Sequence, residues 1–161
     1  MMFTIAVITI IVIFAISLYT DMTGWKIKNV VTLPPALIGM VIALFYFPVL
    51  DVLLYIFVVF AVGIAGWMLN LWKAGDTKLI LVTAVWSMFI TGTHILFPLF
   101  YYLVFLGFYF AIGHFLGLKT YRFRLKEYML SLKTKVNEKY GAIPATFVIL
   151  CSFFITFIIY K

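Results

Sequence analysis

Residues 79–118 read LILVTAVWSMFITGTHILFPLFYYLVFLGFYFAIGHFLGL, forty positions without one Asp, Glu, Lys or Arg. A helix rising 1.5 Å per residue crosses about 30 Å of hydrocarbon in roughly 20 residues. The run is therefore two crossings long, with Gly92, His94 and Pro98 marking a turn near its middle. Working outward from it, residues 1–20, 29–50, 52–72 and 140–160 are also free of charge, each about one membrane thickness. The expected fold is all-α: a polytopic membrane protein with about six transmembrane helices, forming one domain over residues 1–161.

Composition agrees. The chain is 66% hydrophobic and 11% charged, against roughly 25% charged in soluble domains. A soluble domain of this size has too little interior to hide that much apolar side chain. The net charge of +7 does not point to nucleic acid, because the basic residues lie in short segments between apolar runs. Cys151 is the single cysteine, so no internal disulfide forms. The N-terminus lacks a basic n-region and a small-residue cleavage signature, and reads as a retained first helix.

The basic residues also orient the chain. Loop one (about 21–29) carries Lys26 and Lys28, and loop three (about 73–78) carries Lys73 and Lys78. Loop five (about 119–142) carries Lys119, Arg122, Arg124, Lys126, Lys133, Lys135 and Lys139, whereas loops two and four carry none. Eleven of the twelve basic residues thus fall on one side. By the positive-inside rule the odd loops face the cytoplasm, with both termini outside. Within loop five, Leu125, Tyr128, Met129, Leu132 and Val136 recur at helical spacing among Lys126, Glu127, Lys133 and Lys135. That pattern predicts a short amphipathic cytoplasmic helix resting on membrane lipid; a solvated basic connector is the plainer alternative.

Five acids exist: Asp21, Asp51, Asp76, Glu127 and Glu138. The glutamates sit among the lysines of loop five as solvated partners. Asp51 falls in the outer loop two, a membrane thickness from the others. Asp21 and Asp76 both fall at cytoplasmic helix ends. Asp76 is explicable as a cap of the fourth helix. Asp21 follows a helix C-terminus, where negative charge is disfavoured by about 0.3–1 kcal/mol, unless it caps what comes next. Two carboxylates sharing a partly dry site do not both ionise easily. The ionised one then takes a proton from water while the protonated one donates to a scissile amide, and the two titrate as a unit.

The residues around these acids carry a resemblance. Lys73-Ala74-Gly75-Asp76-Thr77-Lys78-Leu79 resembles the GxGDxKL motif of type IV prepilin peptidases, a family of intramembrane aspartic proteases. Asp21-Met22-Thr23-Gly24-Trp25-Lys26-Ile27-Lys28-Asn29 is similar to that family's first-aspartate segment, an Asp followed by basic residues and Ile-x-Asn. The motif match covers about sixteen residues; the topology covers most of the chain. Two departures stand out: Lys73 occupies the first glycine position of GxGD, and Lys28 the usual proline position. Pro35-Ala36-Leu37 spells the PAL tripeptide of presenilin-like proteases but precedes Asp76, and is taken as chance.

The resemblance implies a single transmembrane peptidase domain, with catalytic Asp21 and Asp76 supported by Gly75, Lys78 and Asn29. The implied substrate is a pilin-like precursor whose basic leader is cut at the cytoplasmic face of the cell membrane. Neither cofactor nor metal is expected. Larger family members carry a cysteine-containing cytoplasmic segment and also methylate the new amino terminus, but a first loop of about nine residues and a lone cysteine predict a peptidase alone. The rival expectation is a non-enzymatic membrane subunit or small transporter using the same aspartates as caps or proton sites. The uncharged midplane of the spans counts against transport. His94 and His114 are expected to serve packing, across the membrane from the aspartates. Asn70 is placed near the site or as interhelical glue, and Cys151 as an apolar filler.

Overall fold

The structure, a computed structural model, describes residues 1–24, 27–69, 74–120 and 145–160. These form six α-helices: α1 (Met2–Gly24), α2 (Asn29–Tyr46), α3 (Val49–Met68), α4 (Ala74–Thr91), α5 (Leu96–Thr120) and α6 (Ala145–Tyr160). Helices α1 to α4 are each long and apolar enough to cross a membrane. Helices α5 and α6 contain the apolar stretches Leu96–Ile112 and Ala145–Ile159. The architecture is compatible with a multi-pass membrane protein. The amphipathic segment expected over 125–136 lies outside the described residues, as do Lys26, Asn70, Lys73, Glu127 and Glu138.

Helix ends depart from the charge boundaries in an instructive way. The forty-residue run breaks at Gly92, whose φ of 79° is left-handed; its N–H still reaches the Met88 carbonyl at 2.9 Å, closing α4 as an αL cap. Pro98 sits in the first turn of α5, where its missing N–H costs nothing. Asp51, expected in an outer loop, instead occupies the first turn of α3. The break falls earlier, at Phe47 and Pro48, because proline fixes its φ and opens a new helix. Likewise α1 runs past Asp21 to Gly24, and α4 begins at Ala74, taking Asp76 and Lys78 out of loop three. An acid in a first turn meets the positive end of the helix dipole, which favours both Asp51 and Asp76 there.

Helix α4 is the centre of the bundle and packs against all five others. Of its apolar window 61% is buried, against 22–28% in α1, α2 and α3, although it is the least apolar of the four. Hydrogen bonds tie it to its neighbours. Tyr55 Oη of α3 donates to the Ala84 carbonyl at 3.1 Å, and Trp86 Nε1 to the Pro35 carbonyl of α2 at 3.0 Å. Thr83 and Tyr101 of α5 share a hydroxyl–hydroxyl bond of 3.0 Å. Such bonds between apolar helices contribute about 0.6 kcal/mol on average. At the far side, Phe153 of α6 meets the rings of Phe14, Phe97 and Tyr101 at 5.5–6.2 Å, joining α6 to α1 and α5.

Gly63 permits one close approach. A Cβ there would fall 2.5 Å from Thr77 Cγ2 and 2.7 Å from Tyr102 Oη. Without it, Thr77 Oγ1 donates to the Gly63 carbonyl at 3.2 Å, holding the first turn of α4 against α3. This clamp sits one residue from Asp76.

Candidate active site

Short connections make successive helices α1 to α5 antiparallel. The C-terminal ends of α1, α3 and α5 therefore share one end of the bundle with the N-terminal ends of α2 and α4. Asp21, in the last turns of α1, and Asp76, in the first turn of α4, both lie at that end. Helices α1 and α4 pack directly together. Both aspartates are buried, 7% and 5% exposed.

Asp21 is buried because helical spacing puts it on the inward stripe of α1, which runs Ala6, Ile10, Ile13, Phe14, Ser17, Thr20 and Asp21. Its charge opposes the dipole of α1, and the compensation comes from far along the chain. The Thr146 backbone N–H donates to Asp21 Oδ2 at 3.1 Å, and Thr146 Oγ1 donates to the same oxygen at 2.9 Å. Thr146 is the second residue of α6, so Asp21 meets the positive end of that helix. The capping alternative is thus realised on α6, not on the helix that follows. Helix α2 opens at Lys28 with no side-chain cap. One turn below Asp21, Ser17 Oγ is the one buried side-chain oxygen or nitrogen among the described residues without a hydrogen-bond partner.

Asp76 is the third residue of α4. Its carboxylate lies within electrostatic reach of the Tyr109 phenol of α5. The two motif segments meet around it. Lys78 Nζ donates to Asn29 Oδ1 at 2.8 Å, linking the second segment to the start of α2. Gly75 faces Ile27, and a Cβ on Gly75 would lie 3.5 Å from that of Ile27. Among the sequence-derived site residues the structure thus joins Asn29 to Lys78, and places Asp21, Gly75 and Asp76 at the same end of the bundle.

Other residues fall elsewhere. Asp51 is exposed at the opposite end. His94 lies in the turn before α5, also at that far end. His114 requires a correction: the length of α5 carries it back toward the aspartate end and not across the membrane from it. Its ring is exposed and stacks on Phe110 at 6.2 Å, on the outside of the helix. Cys151 is half-buried and in no disulfide. Among the described residues, no three His, Cys, Asp or Glu side chains gather as a metal would need.

Sequence reasoning did not single out Thr146, Thr77 or Ser17. Ser17 was legible in principle, since it precedes Asp21 by four residues and shares its face. Thr146 was not, because nothing local says which helix starts against Asp21. No protein-family model, curated protein or solved structure matches this chain.

Proposed function

We propose that this protein is a membrane-embedded aspartic endopeptidase that removes the leader from type IV pilin-like precursors, as the resemblance to prepilin peptidases implies. The observation that supports it most is the burial of two of the five acids at one end of two directly packed helices. Burying a carboxylate costs several kcal/mol unless something offsets it, and a membrane protein with so few acids has little structural need to bury two at one end. The Lys78–Asn29 bond adds weight, because it connects the two segments that carry the motif.

In this reading one carboxyl of the Asp21–Asp76 pair is protonated and the other ionised. The ionised carboxylate takes a proton from a water molecule as its oxygen attacks the scissile carbonyl carbon. The protonated carboxyl gives its proton to the carbonyl oxygen; as the tetrahedral intermediate collapses, it takes a hydroxyl proton back while the other carboxyl passes the proton from water to the departing nitrogen. The amide breaks into a carboxylate and an amine, with no metal, cofactor or covalent enzyme intermediate. Six spans, odd loops in the cytoplasm and loop five on the inner leaflet complete the proposal. The precursor's leader junction, just ahead of its apolar helix, would then meet the aspartates at the inner surface.

The rival reading makes the aspartates structural. Its support is the Thr146 contact, since a carboxylate at a helix N-terminus is also how a cap behaves. A membrane cleavage assay separates the two, using a precursor with a short basic leader ahead of an apolar helix. Asp21→Asn and Asp76→Asn should each abolish cleavage at undiminished protein level. Cleavage retained in either variant removes the dyad. Orientation has its own test: with Cys151 replaced, single cysteines in loops one, three or five should react only with reagent on the cytoplasmic side.

A further inference from the structure

Thr146 spends both of its donors, the backbone N–H at 3.1 Å and the hydroxyl at 2.9 Å, on one oxygen of Asp21. It is fully buried, and Asp21 is nearly so. A side chain held from two directions on one oxygen has its rotamer set, and the other oxygen, Oδ1, receives neither donor. Hydrogen bonds to a carboxylate are also stronger than those between neutral groups. Because Asp21 stands at the unfavourable end of α1, the contact with the start of α6 offsets that dipole as well.

We propose that Thr146 is a positioning residue of the catalytic pair. It holds Asp21 through Oδ2 so that Oδ1 is presented to the attacking water. This inference rests on the dyad reading above and adds to it a third residue, on the last helix, that neither motif segment contains. Thr146 touches no substrate; it acts through Asp21. The role needs the hydroxyl itself, because the backbone N–H persists in every substitution except proline.

The experiment compares Thr146→Val, which keeps the shape and loses the hydroxyl, with Thr146→Ser, which keeps the hydroxyl. Cleavage of the basic-leader precursor is normalised to folded protein, with Asp21→Asn measured beside them. Thr146→Val should lower kcat by roughly 10- to 100-fold with KM little changed, the signature of a misplaced catalytic group and not of lost binding. Thr146→Ser should recover most of the rate. If Thr146→Val does not fold, Thr146→Cys fills similar space with a weaker donor and should give an intermediate loss. Full activity in Thr146→Val, or a loss in Thr146→Ser as large as in Thr146→Val, overturns the positioning role while leaving the dyad intact. Cleavage by Asp21→Asn, or none by the unaltered protein, overturns the dyad and this inference with it.

Discussion

Asp51 and Asp76 hold the same place in their helices, each the third residue, of α3 and of α4 respectively. Local physics treats them alike, since both put negative charge in a first turn where the helix dipole welcomes it. Yet Asp51 is exposed and Asp76 is buried, at opposite ends of the bundle. Helix α3 begins on the outside of the bundle, where a carboxylate keeps its water. Helix α4 begins half-covered, with Asp76 on its buried side. A favourable first turn accounts for the position of both residues but for the burial of neither. What distinguishes Asp76 is the company around it: α1 packed directly against α4, and the Gly63–Thr77 clamp one residue away.

The largest test of that contrast is chemical. Asp76→Asn should lower precursor cleavage by at least about a hundredfold, the scale of a lost general acid or base. Asp51→Asn, at the equivalent helix position, should leave the rate unchanged in the same assay. Equal effects of the two substitutions would mean that burial carries no functional meaning here.

A second test breaks the clamp. Gly63→Ala places a Cβ well inside contact distance of Thr77 and Tyr102, and overpacking of this kind costs about 1–3 kcal/mol. Reversible unfolding in detergent should show that loss, with reduced cleavage because the first turn of α4 is displaced. Gly24→Ala, with nothing within 4 Å, should be neutral within about 0.5 kcal/mol. A neutral Gly63→Ala would show that α3 and α4 have slack the close approach does not suggest.

The smallest expected effect concerns the bond between motif segments. Lys78→Met and Asn29→Ala, singly and together, should reveal a coupling of about 1 kcal/mol or less in unfolding, because the Lys78–Asn29 bond is exposed to competition from solvent. If the bond organises the site, cleavage should fall more than stability does. A coupling near zero with normal cleavage would reduce the contact to a surface pairing.

Much of the architecture is legible in the sequence. The uncharged runs located the helices, and the break at Gly92 followed from its freedom to adopt positive φ. Loop parity placed Asp21 and Asp76 at one end. Helix ends are less legible, because charge does not by itself mark a boundary. A single Asp or Lys near a terminus is compatible with continuing the helix, which is how Asp51, Asp76 and Lys78 came to lie inside one. The level of His114 is hidden for a related reason, since the full reach of α5 decides which end it approaches.

What the sequence determined by itself is everything that depends on one segment at a time: helical periods, their apolarity, the turns between them and therefore which residues share an end. Only the tertiary structure decided which helix is central. Apolarity gave no warning, because α4 is the least apolar of the four long helices yet the most buried. In a bilayer the outward faces must be the greasy ones, and hydroxyls such as those of Thr83 and Ser87 are accommodated inside, where Tyr101 and Tyr55 reach them. The partner of Asp21 is the sharpest case. Thr146 lies 125 residues away, and the contact exists only because α6 starts against the end of α1. No spacing in the sequence encodes that, since it is set by how side chains such as Phe153 seat one helix among the others.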